Sequence, residues 1–152
     1  MKRALAIILL LGIALALSAC ASSSGEAARA VATQASVDLD LSVLSGTVVY
    51  SQVYDMTQRP EAYLGQTVKL RGNFSYFQDP DTHNEYFAAV IADATACCAQ
   101  GIEFLWAGDH AFPDDYPPLD TEITVTGTFG TYEENGYTYL RLSDAEVTWE
   151  GV

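Results

Sequence analysis

Basic residues are the scarcest class in this chain: 7 Lys and Arg stand against 20 Asp and Glu, a formal charge of −13. Phosphate backbones are recognised chiefly by Lys and Arg, so nucleic acid is excluded as a partner, and so is direct adsorption to anionic lipid headgroups. Histidine is nearly missing, with 2 residues, and the 3 cysteines form no CxxC pair. HExxH and His-rich tracts do not occur either, which removes the patterned zinc and dithiol redox sites whose ligands need fixed spacing. Neither a serine, a cysteine nor a metal hydrolase signature is found, and no internal repeat. The longest apolar stretch, Ala4 to Leu17, is too short for a stable membrane span.

What is there begins with a leader. Met1-Lys2-Arg3 is basic, Ala4 to Leu17 is apolar, and Leu17-Ser18-Ala19-Cys20 ends the segment. That order predicts a secretory signal over residues 1–19. The closing tetrapeptide resembles the bacterial lipobox. The resemblance implies cleavage after Ala19, a diacylglyceryl group on the Cys20 sulfur, and a chain anchored on the extracytoplasmic face of a bacterial cell membrane. Each buried methylene contributes about 0.8 kcal/mol, so two acyl chains hold a small domain firmly. Residues 20–36, small and polar at their start, predict a flexible tether, with an Ala-rich helix as the alternative. Without Lys2 and Arg3 the remainder carries 5 basic and 20 acidic residues, a formal −15. Such a balance keeps an exposed domain soluble or concentrates cationic ligands around it.

Residues 37–152 suit one domain with one core. Val37 to Val43 alternates apolar and polar residues, as an edge strand or extended arm does. Thr47 to Tyr54 is β-branched and aromatic with a mixed pattern and reads as a strand. Pro60 to Leu64 predicts a short helical turn stopped at Gly65, with Tyr63 and Leu64 facing the core. Thr67 to Phe77 is the clearest strand: Val68, Leu70, Gly72, Phe74 and Tyr76 share one face, and the mid-strand glycine suggests a barrel corner. After a turn at 79–84, Tyr86 to Ala92 reads as a strand buried on both faces. Ile102 to Trp106 follows, then a proline-rich loop from Ala107 to Asp120. Glu122 to Phe129 alternates again, Asn135-Gly136 signals a hairpin, Tyr137 to Leu142 returns, and Val147 to Trp149 closes an edge.

These elements predict an all-β fold, a small curved barrel of about five strands with one short helical turn. The run Pro60-Glu61-Ala62-Tyr63-Leu64-Gly65-Gln66-Thr67-Val68-Lys69-Leu70-Arg71-Gly72 resembles bacterial OB-fold proteins of the tRNA-anticodon-binding-like type. With the leader, the chain resembles Gram-positive surface lipoproteins carrying an OB-like domain, a group with no catalytic pattern to transfer. OB-folds that bind polymers use strands two and three and the flanking loops, with basic grooves and stacking aromatics. Here the aromatics are present without the basic groove, so the fold implies no nucleic-acid role.

The chemistry concentrates in Glu85 to Trp106, which holds the vicinal pair Cys97 and Cys98. Adjacent residues of an extended strand face opposite sides, so both thiols reach one site only through a bend. Four readings stand: small packing residues, a vicinal disulfide, ligands for a soft or divalent metal such as zinc or copper, or a nucleophilic or redox thiol with His110 as base. For the metal reading the further ligands are drawn from His83, His110, Asp93 or Asp109. Ala92-Asp93-Ala94 beside the pair is similar, in reversed order, to the soluble domains of a permease-subunit family. Asp109-His110 with Asp114-Asp115-Tyr116 reads either as a cation site or as a solvated acidic loop with Tyr116 pinned to the barrel. Glu103 faces either a ligand groove or a basic partner, Lys69, Arg71 or Arg141, and the ion pair is the favoured reading because breaking a buried pair is costly. Tyr86, Glu103 and Trp106, with Cys97 and Cys98, are the ligand-binding candidates, on a surface bounded by residues 78–84, the cysteine segment and the 107–120 loop. The expected function is a lipid-anchored binding module for a small ligand or protein partner, without catalysis. The alternatives are a thiol, metal or redox protein, and an accessory subunit of a transporter or envelope complex.

Overall fold

The computed structural model describes residues 36–93, 95 and 97–151. The leader, Cys20 and the tether up to residue 35 lie outside them. In chain order the elements are β1 (Leu39–Asp40), α1 (Gly46–Gln58), a 3-10 turn (Pro60–Ala62), β2 (Thr67–Gln78), β3 (Glu85–Ala92), β4 (Ala99–Trp106), β5 (Glu122–Glu134) and β6 (Tyr137–Trp149). The fold is mostly β, as the alternation implies. No helix among the described residues is long and apolar enough to cross a membrane.

Five strands close into a barrel-like ring because β2 serves two neighbours. Its first half, Thr67 to Asn73, pairs antiparallel with β5, and its second half, Asn73 to Gln78, pairs antiparallel with β3. β3 then pairs with β4, β4 runs parallel to β6, and β6 returns to β5. The change of partner falls at Asn73, next to Gly72. A Cβ on Gly72 would stand 2.8 Å from the Val90 carbonyl oxygen, so only glycine lets β3 come this close. β1 adds to β2 in parallel, with the Asp38 N–H donating to the Thr67 carbonyl.

Every second side chain fills the ring. Val68, Leu70 and Phe74 of β2 meet Ala89 and Ile91 of β3, Ile102 and Phe104 of β4, and Ile123, Val125 and Phe129 of β5. Burying a side chain of this size contributes about 1.5–3 kcal/mol. β3 differs from its expected burial: Ala89 and Ile91 are inside, whereas Tyr86, Ala88 and Val90 are half-exposed on the outer face. Tyr86 and Ala88 line an outer groove, and the strand is covered on one side only.

β6 is one strand, although its sequence reads as two pieces. Thr126 pairs with Glu146 and Thr128 with Ser143, so β6 carries one residue more than β5 over this stretch. The bulge holds Asp144 at φ 50° and shifts the inward set from Leu140 and Leu142 to Ala145 and Val147. That shift of parity is what splits the pattern.

Thr47 to Tyr54, whose composition predicts a strand, is helical. Val49, Val53 and Met56 recur at helical spacing, are buried, and join the ring's core. A helix offering only this narrow stripe is held mainly by packing, which overrides its β-branched composition. At its C-terminal end Arg59 grips the Asp55 carboxylate through two nitrogens, and the Tyr63 hydroxyl donates to the same group. Tyr63 packs edge-on against Phe129, but Leu64, expected inside, is exposed because the turn at Gly65 points it outward.

Candidate functional site

The outer faces of β3 and β4, with the projecting hairpin of β5 and β6, form a groove. Strand parity puts Tyr86 and Ala88 of β3 on the same side as Glu103 and Leu105 of β4, with Ala88 opposite Glu103. The β5–β6 hairpin extends beyond the ring to the Asn135-Gly136 turn and lays Tyr132, Glu134, Tyr139 and Arg141 alongside. Two hollows, about 240 and 380 Å³, share Tyr86, Glu103 and Glu134. Phe77, Leu105 and Tyr139 line them while remaining exposed.

Polar contacts fix the walls. The Tyr132 hydroxyl donates to Glu103 Oε2 at 2.6 Å, and the Tyr86 hydroxyl lies 2.8 Å from both Glu134 oxygens. The Arg141 guanidinium sits over the Tyr132 ring, 4.3 Å from its centre, and Tyr139 stacks against that ring. Burial raises the Glu103 carboxyl above the ordinary glutamate range, opposed by the Tyr132 hydrogen bond and by the Arg141 charge. Burial, then the bond to Glu103, pushes the Tyr132 phenol well up. The bond to Glu134 likewise raises Tyr86.

Glu103 therefore does not form the expected ion pair. Arg141 is its register partner on β6, yet the guanidinium is drawn onto the tyrosine face, and among the described residues no basic nitrogen comes within 4.0 Å of the carboxylate. Lys69 and Arg71 occupy another part of the wall, beside Thr124 and Glu146, where Arg71 approaches Glu122 at 3.6 Å.

Of the residues singled out from sequence, Tyr86 and Glu103 come together and Trp106 does not. Trp106 is three positions from Glu103 and points the other way, stacking on His110 with ring centres 3.7 Å apart and meeting Trp149 and Tyr116 edge-on. His110 is further tied to the Ala107 carbonyl at 3.0 Å. Asp115 accepts the Ala111 N–H at 2.7 Å, while Asp109 is exposed. Tyr116 stacks on Phe87 at 4.3 Å and Phe112 on Tyr76 at 4.0 Å, so the proline-rich loop is pinned to the ring by aromatic rings.

The cysteines lie elsewhere. They close the β3–β4 hairpin, where the Asp93 N–H donates to the Cys98 carbonyl. His83 and His110 belong to the turns at the opposite ends of the same two strands. The eight residues of β3 span roughly 25 Å. The expected joining of Cys97 and Cys98 with His83, His110 and Asp109 is therefore corrected by strand length, and the expected contact surface loses its cysteine border. Among the described residues, only Asp93, Cys97 and Cys98 bring three possible ligand atoms together, all within 4.8 Å. Both thiols are free and exposed, with sulfurs 3.5 Å apart, and Cys97 Sγ is 3.3 Å from Asp93 Oδ2. The required bend is present, because Asp93 Oδ1 accepts the Thr95 N–H and hydroxyl and the Cys97 N–H. Burial works upward on Asp93, but these bonds with the Cys97 thiol's outweigh it and hold the carboxyl below its usual range. The Cys97 contact, burial and the Asp93 charge all raise the Cys98 thiol.

Sequence reasoning left out Glu134. The available signal was its spacing of two from Tyr132, which places both on one face of the strand before the Asn-Gly turn. No protein-family model matches the chain, and no curated protein or solved structure matches it.

Proposed function

We propose that the chain is a lipoprotein of the Gram-positive surface type, anchored through Cys20 on the extracytoplasmic face, whose OB-like ring binds a small cationic ligand without catalysis. The observation that carries this reading is the groove built on Tyr86, Glu103 and Glu134. Counted from β2, the ring strands beneath it are the second and third, and the turns at 79–84 and 135–136 flank it. That is where OB-folds take their ligands. The leader and its Leu17-Ser18-Ala19-Cys20 ending support the anchor.

The chemistry of the walls favours a cation with an apolar body. Glu103 and Glu134 supply negative charge, the faces of Tyr86 and Tyr139 attract an ammonium or guanidinium group, and Phe77 and Leu105 offer apolar area. The hollows have the size of small-molecule sites rather than of a protein interface. Calorimetric titration of the full chain with phenethylamine, against 2-phenylethanol as the uncharged control, tests the reading. The amine is expected to bind, the alcohol not, and Glu103→Gln to abolish the difference. Equal binding of both, or of neither, overturns it. Recovery of a stable protein complex by cross-linking in intact membranes would replace the small ligand with a partner. A turnover lost on Cys97→Ser or His110→Ala would replace binding with catalysis. Retention of membrane attachment by Cys20→Ser would remove the anchor.

A further inference from the structure

The hairpin tip between β3 and β4 is remote from the groove and has its own chemistry. We infer that Asp93, Cys97 and Cys98 form a binding site for one zinc ion, held by both sulfurs and by Asp93 Oδ2, with a fourth position open. Zinc takes sulfur at about 2.3 Å and carboxylate oxygen at about 2.0–2.2 Å in a tetrahedron. Such a tetrahedron separates its two sulfurs by roughly 3.8 Å, and a sulfur from an oxygen by roughly 3.6 Å. The two contacts of the Cys97 sulfur are 3.5 Å and 3.3 Å and all three donor atoms lie within 4.8 Å of one another, so one ion enters once the Cys97 contacts spread by a few tenths of an ångström and the Cys98 sulfur and the Asp93 oxygen settle at tetrahedral spacing.

The donors are also held ready. Asp93 Oδ1 is committed to three hydrogen bonds that shape the turn, which leaves Oδ2 directed at the Cys97 sulfur. Two thiolates and one carboxylate form a mixed set. Copper(I) favours sulfur throughout, and calcium and magnesium favour oxygen throughout, so a borderline ion fits best. Binding forms two Zn–S bonds and one Zn–O bond and sends two thiol protons to solvent; no electron is transferred. The open fourth position takes water, or a donor offered by another molecule, since the tip is exposed.

The test uses the reduced full chain titrated with Zn²⁺ against a chromophoric chelator, with proton release recorded and alkylation of the two thiols followed by mass spectrometry. One ion per chain, about two protons released near neutral pH and joint protection of Cys97 and Cys98 are expected. Cys97→Ser and Cys98→Ser should each remove protection of the remaining thiol, and Asp93→Asn should weaken binding by at least about tenfold. His83→Ala and His110→Ala should change nothing. Alkylation of both thiols at an unchanged rate in saturating Zn²⁺ overturns the site, whatever the variants do. Loss of binding in a histidine variant that keeps the wild-type circular dichroism also overturns it, as does isolation of the chain with Cys97 and Cys98 already bonded to each other.

Discussion

The hydroxyl of Tyr86 on β3 stands 2.8 Å from both carboxylate oxygens of Glu134, 48 positions later at the tip of the β5–β6 hairpin. This contact ties the projecting hairpin to the ring and sets the width of the groove between them. Tyr86→Phe keeps the aromatic face and removes the tie. Amide exchange over residues 131–139 is expected to quicken, with β2 unchanged, and amine binding to weaken. Unchanged exchange in the hairpin would show that its own cross-strand pairs hold it.

Glu103 gives a pH dependence whose sign follows from burial. Its folded pKa is raised, so the folded chain holds the proton more tightly than the unfolded one. Stability therefore falls as pH climbs from about 4.3, the ordinary glutamate value, through the raised value of Glu103, and is level above it. Glu103→Gln accepts the Tyr132 hydrogen bond without carrying charge. Its denaturation midpoint should exceed that of the wild type at neutral pH, and the two should converge in acid. A variant less stable than the wild type at pH 7 would assign the carboxylate a favourable partner.

Gly72 and Gly127 mark the closest approaches of the backbone. A Cβ at Gly127 would stand 2.9 Å from the Ser143 carbonyl oxygen, in the bulge, much as one at Gly72 meets Val90. Each Gly→Ala change should cost about 1–3 kcal/mol by urea denaturation, the usual range for overpacking. Gly130, with nothing within 4 Å, is the control and should tolerate alanine. Equal costs at all three positions would point to strand entropy rather than contact.

Tyr116 joins the 107–121 loop to Phe87 and Phe74. Tyr116→Ala should lower stability by up to about 3 kcal/mol, the low end for a buried aromatic, and open the loop to proteolysis first. Loss of amine binding in this variant would show that the loop and the groove act together.

Much of the ring was legible because its strands are covered on one side. β2 and β5 alternate so regularly that their faces follow from parity, and Gly72 and Asn135-Gly136 marked the corner and the hairpin. α1 was not, since Val48, Val49 and Val53 read as strand when taken singly, although Val49, Val53 and Met56 repeat at helical spacing. Much of the site was legible in the same manner as the ring. Parity puts Tyr86 and Glu103 on the outer face and sends Trp106 away from it. The separation of the cysteines from both histidines was legible too, since His83 precedes β3 and His110 follows β4 while the cysteines lie between the two strands, so one strand length stands on either side of them.

The closed circuit of strand pairing also governs how such chains behave when crowded. Among the described residues, open backbone is confined to short pieces: β1, two residues long, the end of β2 past Asn73, the start of β4 before Glu103, and the free part of the β5–β6 hairpin, which carries Glu133 and Glu134. An edge that short templates little, and one bearing carboxylates repels its own copy. Many molecules packed side by side on one surface would thus stay separate instead of growing into a continuous sheet.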